Sequence, residues 1–419
     1  MCRLVLLSLE LDLRRRIMNK VIKSLGARRL ASVMGAAVLV VSCTTVVASA
    51  ATMKAHTAAN VRACVVTDVG GLNDKSFNAS AYAGLLQAAA ANKNVTPSVI
   101  STPTNGSESD YDQEIASFVA QKCNIIIGVG FLMVDAIWNA AVKNPTVHFA
   151  IVDGPNTAPY PDGIALAPSG GAVLTNPSSA TTATNNILGL TFNTQEDAFL
   201  GGYEAAAYAV SVNPAAPKVA TYGGVQFGSV TAYMDGYYEG AMYYNTTVKP
   251  KHAVKVLGWD LKTQKGTFIG SFSDQATART DTTAFLAAGA TTVFPVAGND
   301  GLGTTAAIRT WNAAASHKIK ANAEWVDTDG CISDAPDCSL FLNSVTKGVT
   351  ASVIAAVTAE ATGTFVGANY IGTLKNGGAA FAQDLSSPMA KKLSASVLTA
   401  VAGIKTKIEN GTIKVTVGG

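Results

Sequence analysis

Charge is scarce in this chain. Asp, Glu, Lys and Arg make up 14% of the 419 residues and leave a formal net charge of +3. That excludes a basic stripe or an acidic tail, and nucleic acid is not an expected partner. Histidine is scarcer still, because His56, His148, His252 and His317 stand singly. None has metal-site spacing, so neither a metal nor any other cofactor is expected. The signatures of common enzyme chemistry are missing too: there is no G-x-S-x-G elbow, no H-E-x-x-H and no phosphate-cradling G-x-x-x-x-G-K. The glycine-rich turn Gly298-Asn299-Asp300-Gly301-Leu302-Gly303 has the wrong spacing for a dinucleotide fingerprint.

Long apolar runs are also absent. Leu30 to Val41 is the longest near the start, and at about a dozen residues it is too short to span a bilayer. With Lys20, Lys23, Arg28 and Arg29 before it, it reads as the h-region of a secretory signal within a targeting segment of the first sixty residues. Met18 is a candidate true start, and Arg28-Arg29 fits a twin-arginine signal poorly. Two cleavage sites compete. Val40-Val41-Ser42-Cys43 resembles a lipobox that would make Cys43 a lipidated first residue, and Ala48-Ser49-Ala50 is an A-x-A site that would release a soluble protein. The lipobox is the favoured reading, giving a signal peptide over 1–43 and a Thr- and Ala-rich tether over 44–60.

Six cysteines suit an oxidising compartment. Cys331 and Cys338 sit in one short loop, where a disulfide is plausible. Cys64 and Cys123 each begin an expected strand; they form a second bridge if those strands are neighbours, and otherwise are two small buried residues.

From residue 61 the chain alternates apolar β-branched runs with helical stretches. Arg62–Asp68, Val95–Ser101, Cys123–Gly130 and Val147–Gly154 read as strands, with helices over Ser76–Ala91, Ser109–Gln121 and Phe131–Lys143 between them. Residues 155–184 are rich in Pro, Ser, Thr and Gly and read as a surface loop or insertion. A second series runs from Asn186 to Ala361, with strands expected at Gly266–Phe272, Thr291–Val296, Ile319–Val326 and Leu340–Val345. Continuous rather than alternating apolar runs imply strands buried on both faces, hence parallel sheets covered by helices. The expected fold class is α/β with two doubly wound parallel-sheet lobes.

In such sheets, ligands bind beyond the carboxyl ends of the strands. Asp68, Asp153, Phe272, Gly298, Asp327 and Lys347 all lie just past apolar runs. Asp74, Phe77 and Asn78 follow in the first strand–loop–helix unit, where Asp74 or Ser76 alternatively caps the helix. Several carboxylate acceptors, one ammonium and two aromatic faces suit a neutral, hydroxyl-rich ligand with a planar ring, whereas a phosphate would be repelled.

Eight segments in register resemble the basic membrane protein family. They are Thr67-Asp68…Asp74-Lys75-Ser76-Phe77-Asn78, Gly128–Met133, Phe149–Gly154, Phe199–Tyr203, Met234–Tyr237, Gly270-Ser271-Phe272, Phe294–Gly298 and Val326–Asp329. The resemblance covers about residues 61–350 and implies a lipoprotein substrate-binding component of an ABC transporter with a periplasmic-binding-protein type I fold. Family members include purine nucleoside receptors, and the resemblance implies that Phe77 and Phe272 stack on a base. Asp74, Asp153 and Asn78 would then face the base edge, Gly298, Asp327 and Lys347 would hold ribose hydroxyls, and Asp68 would support the first loop. It further implies exchange of the chain between lobes near 185–190 and 335–350. Lobe 1 would comprise 61–185 with about 338–365, and lobe 2 would comprise 186–337 with the segment to 419. Nucleoside, permease and, through a lipid anchor, the membrane are the expected partners of a monomer. Met234-Asp235-Gly236 and Asp197–Leu200 read as structural helix parts. A sugar or another small metabolite is the alternative ligand, and a nucleoside hydrolase the alternative class. For that class the acidic spacing fails.

Overall fold

The computed structural model describes residues 60–156, 185–383 and 385–418. The signal segment with Cys43, the competing cleavage site and residues 157–184 of the expected insertion lie outside the described residues.

Two six-stranded sheets carry the fold. The first contains β1 (Val61–Thr67), β2 (Val95–Ser101), β3 (Ile125–Val129), β4 (His148–Val152), β5 (Ile187–Phe192) and β13 (Asn369–Gly372), in the spatial order β13-β5-β4-β3-β1-β2. All of its pairings are parallel. The second contains β6 (Lys218–Gly223), β7 (Lys255–Leu257), β10 (Thr292–Val296), β11 (Asn322–Asp327), β12 (Phe341–Lys347) and β14 (Ala379–Ala382), in the order β14-β12-β11-β10-β6-β7. Only β14 there runs antiparallel, against β12. A small hairpin of β8 (Trp259–Asp260) and β9 (Lys265–Gly266) stands apart. Every residue of β3, β10 and β11 is buried, as continuous apolar runs require of central strands covered on both faces.

The helices fill in both faces. They are α1 (Phe77–Ala91), α2 (Glu108–Ala120), α3 (Val134–Lys143), α4 (Thr194–Val212), α5 (Gly228–Val248), α6 (Gln275–Ala287), α7 (Gly301–Ala313), the single turn α8 (Gly330–Ser333), α9 (Val349–Ala361) and α10 (Ala395–Glu409). The α4–α5 pair explains two of the glycine-bearing segments. A Cβ on Gly202 would lie 1.9 Å from the Tyr237 carbonyl oxygen, and one on Gly236 would lie 2.2 Å from that of Gln195. Only a bare Cα lets the two backbones approach so closely. These segments build lobe 2.

The first crossing falls just past the expected 185–190 and the second within the expected 335–350, so the limits of 185 and 338 expected for the lobes both move later. Ile187–Phe192 adds to the free edge of β4 in the first sheet, and Phe341–Lys347 adds to β11 in the second. The chain therefore changes lobes at strand ends, after Phe192 and after Lys347, because each apolar run is absorbed by the sheet whose edge is still open. Residues 349–361 nevertheless belong to lobe 1, where α9 lies on α1 and Thr350 Oγ1 donates to the Ser80 carbonyl at 2.9 Å. A third crossing follows between β13 and β14, strands of four residues each that the sequence reading did not resolve. The crossings are laced together by Asn193 N–H to the Gly372 carbonyl (2.7 Å) and Gly348 N–H to that of Gly378 (2.8 Å). Gly266–Phe272 does not form one continuous strand: Gly266 ends β9, and Phe268 makes an isolated parallel bridge to Gly223. Gly270 adopts a left-handed φ of 81°, and the segment becomes a loop that carries Phe272 toward the other lobe.

Among the described residues there are two disulfides, Cys64–Cys123 in the core of lobe 1 and Cys331–Cys338 across the α8 loop.

Candidate ligand-binding site

A cleft of ≈ 480 Å³ that opens to solvent lies between the carboxyl ends of the two sheets. All nine candidate residues line it: Asp68, Asp74, Phe77, Asn78 and Asp153 from lobe 1, and Phe272, Gly298, Asp327 and Lys347 from lobe 2. Their backbones are shaped for the place. Asp153 follows β4 with φ 63° and Asp327 ends β11 with φ 66°, so the same uncommon left-handed conformation aims a carboxylate into the cleft from each side.

Lys347 is the link between them. It ends β12 rather than following it, is 7% exposed, and places its ammonium 2.8 Å from Asp153 Oδ2 and 3.5 Å from Asp327 Oδ1. Burial alone would lower the lysine pKa, but the two carboxylates outweigh it and hold the group above its ordinary value. Burial raises the pKa of Asp153, and the lysine opposes that rise. The Nζ also lies 4.8 Å from the Phe77 ring centroid and 5.2 Å from that of Tyr233, so the stem and charge pack against aromatic faces.

The first loop is organised by its own acids. Asp68 accepts from the Asn78 amide (2.7 Å) and from Gly70 N–H (2.9 Å), while Asn78 Oδ1 accepts from Asp68 N–H. Burial pushes the Asp68 carboxyl up to about 6 against those bonds. Asp74 accepts from the N–H groups of Ser76, Asn78 and Ala79 at 3.0, 2.7 and 3.1 Å. It is the cap of α1 at the cleft wall, and burial pushes it up to about 7 despite three donors. Of the two roles open to Asp74, the capping one accounts for both of its oxygens.

Phe131, Ser229 and Tyr233 also line the cleft and are not among the sequence candidates. Phe131 follows β3 at a strand end, the same signal that picked out Asp153, and stacks on Phe227 with ring centroids 3.9 Å apart. Phe272 meets Phe131 edge to face at 6.2 Å. Ser229 and Tyr233 sit one turn apart at the start of α5, and helix positions carry no strand-end signal. Ser76 was weighed only as a cap, but its hydroxyl reaches the other lobe. The set can take a planar group among Phe77, Phe131 and Phe272 and bind hydroxyls or ring N–H groups at Asp153 and Asp327.

Two α/β lobes with a polar and aromatic cleft between their strand ends define a two-lobed solute-binding protein. The chain belongs to the family described as ABC transporter substrate-binding protein PnrA-like, whose model matches residues 61–415. It is 28% identical over 363 residues to "ABC transporter nucleoside-binding protein BmpA" of Lactococcus lactis subsp. cremoris, covering 85% of this chain and 89% of that one. Basic membrane protein B of Borreliella afzelii is 28% identical over 180 residues, 43% of this chain and 45% of that one. Among solved structures, an ABC transporter solute-binding protein from Aeropyrum pernix K1 superposes with a TM-score of 0.66 at 22% identity, covering 84% of this chain and 92% of that one. A transcriptional activator of the comK gene from Bacillus halodurans gives 0.59 at 17%, covering 84% and 98%. At such identities these structures speak to the fold alone, which is the periplasmic-binding-protein type I fold. The protein is thus a substrate-binding component of an ABC transporter and not an enzyme, and it works outside the cytoplasm with a transporter partner. Among the described residues no helix is long and apolar enough to cross a membrane.

Proposed function

We propose that the ligand is a nucleoside with a purine base, delivered as a monomeric receptor to a permease of the same transport system from a lipid anchor at Cys43. The observation that supports this reading is that Phe77 and Phe272, from opposite lobes, line the same cleft as Asp153, Asp327 and Lys347. A base between the rings would leave the ribose to those charged residues, where carboxylates accept from its hydroxyls and the ammonium donates. The naming of the Lactococcus relative as nucleoside-binding supports the same class. Asp68, Asp74 and Asn78 hold the first loop, and Gly298, with φ 51°, leaves space beside Phe272. The three crossings act as the hinge about which the lobes close on the ligand.

The test is mass spectrometry of small molecules released from the purified protein by denaturation, followed by calorimetric titration with any nucleoside found. A purine nucleoside near one-to-one occupancy is expected, and Phe77→Ala and Phe272→Ala should each weaken binding by roughly 1–3 kcal/mol. A released sugar, or no heat with any nucleoside, would overturn the ligand assignment.

A further inference from the structure

Loop residues Lys75 and Ser76 of lobe 1, neither of which lines the cleft, bond to the end of β11 in lobe 2. The Lys75 carbonyl accepts from Trp325 Nε1–H at 3.1 Å and from Thr328 Oγ1 at 3.0 Å. The Ser76 hydroxyl lies 3.0 Å from both the Val326 carbonyl and Asp327 Oδ2. Lys75 has φ 56°, a conformation that long side chains adopt rarely, and it turns that carbonyl toward the opposite lobe. The receiving side is rigid. Trp325 is fully buried against Phe341, Thr328 is bonded to Ser333 at 2.9 Å, and the loop behind them is closed by Cys331–Cys338.

We infer that Lys75-Ser76 is a clasp between the lobes and that Ser76 is a positioning residue acting through Asp327. The Asp327 carboxylate has two partners from its own lobe, Tyr233 Oη at 2.8 Å and Lys347, both on Oδ1. Its Oδ2 is held by Ser76 from the opposite lobe. When the lobes part, Oδ2 loses that donor and the carboxylate is free to turn about its remaining partners. Closure and recognition therefore share one carboxylate: the acceptor directions offered to a ligand hydroxyl are set only while the clasp is made. Breaking the clasp shortens the life of the closed complex and leaves the encounter of ligand with the open cleft unaffected.

The inference rests on the nucleoside reading only for its probe, inosine. Nitroxide labels on Lys93→Cys in lobe 1 and Thr247→Cys in lobe 2, both exposed, report the interlobe distance by pulsed dipolar spectroscopy in the full chain. Thr328→Val removes one clasp hydrogen bond at a half-buried position outside the cleft, and Ser76→Ala removes the hydroxyl itself. Each should populate a longer distance and speed inosine release about fivefold, the loss of a hydrogen bond of ordinary net strength, with the association rate unchanged. Thr328→Ser, which keeps the hydroxyl, should restore both readouts. Unchanged distances and release rates in Thr328→Val and Ser76→Ala would overturn the clasp. If the unsubstituted protein gives no heat with inosine, the nucleoside found by mass spectrometry replaces it as the probe, and the distances measured without ligand decide the clasp in either case.

Discussion

Replacing Lys347 with methionine should be among the most damaging single changes in the cleft, and its signature should be electrostatic. The side chain lengths are similar, so packing against Phe77 and Tyr233 is largely kept and the ammonium alone is lost. Left behind are Asp153 and Asp327, 6% and 7% exposed, facing each other across the cleft without their counter-charge. Removing one member of a buried ion pair typically destabilises by about 3–5 kcal/mol, most of it the penalty of the orphaned charge. Two effects of pH separate this from a packing loss. In the original protein the lysine contributes fully below its unfolded value near 10.5, and that contribution fades only as pH rises through its raised folded value. In the variant, Asp153, whose proton burial already holds more tightly in the folded state, loses the lysine that opposed that rise, so stability falls as pH rises from about 4. The difference between the two proteins is therefore largest near neutrality and shrinks toward acid. Urea denaturation near neutral pH and again at about pH 4.5 measures it. Adding Asp153→Asn to the variant should recover roughly half of the loss, because one of the two stranded charges is gone. A loss under about 1 kcal/mol at neutrality, or one of equal size at both pH values, would refute the reasoning.

Glu204 in lobe 2 tests burial of a different kind. It is fully buried, accepts from Asn343 Nδ2 (3.1 Å) and Gln383 Nε2 (2.6 Å), and is pushed up to about 8 by burial. Because the folded state binds this proton more tightly, stability is highest below about 4.5 and lost as pH climbs to about 8, at roughly 1.4 kcal/mol per pH unit from this group. Glu204→Gln should flatten that part of the melting-temperature profile, and an unchanged slope would show that Glu204 does not titrate there. The two disulfides should differ with the loops they close. Residues 59 apart for Cys64–Cys123 and 7 apart for Cys331–Cys338 correspond to about 4 and about 2.5 kcal/mol in the chain-entropy account. Paired Cys→Ala variants compared by denaturant midpoint should keep that order, and equal losses would count against it.

Much of this architecture is legible because the physics behind it is local. Runs such as Ile125-Ile126-Ile127 and Thr292-Val293-Phe294 have no polar face to offer solvent, so they become central parallel strands. The residue after such a strand then falls at the cleft edge, which is how Asp68, Asp153, Asp327 and Lys347 can be picked out and how Phe131 could have been. What escaped depends on partners distant in the chain. Which sheet takes Ile187–Phe192 or Phe341–Lys347 is decided by which edge remains open, a property of the assembled sheet. Tyr233 lies within a helix and reaches the cleft through Phe294 and Asp327, residues 61 and 94 positions away, and Ser76 looks like an ordinary capping residue until Asp327, 251 positions away, is brought to its hydroxyl.

The arrangement also bears on why the site belongs to neither lobe. Each lobe presents a left-handed aspartate at a strand end, but the cation that faces Asp153 of lobe 1, Lys347, comes from lobe 2, and a buried carboxylate without a cation is unfavourable. Lys347 lies immediately before the second crossing and, among the described residues, is the one ammonium bonded to both. Parting the lobes must therefore separate Lys347 from Asp153, while Asp327 keeps the lysine as a neighbour on its own sheet. The opening motion thus exposes and hydrates Asp153 while loosening Asp327, and a ligand that bonds to both recovers those interactions only in the closed form. Affinity is then tied to closure through three charged groups at the hinge side and the Lys75-Ser76 clasp at the loop side, two contacts that can be broken separately and whose effects on the release rate should combine.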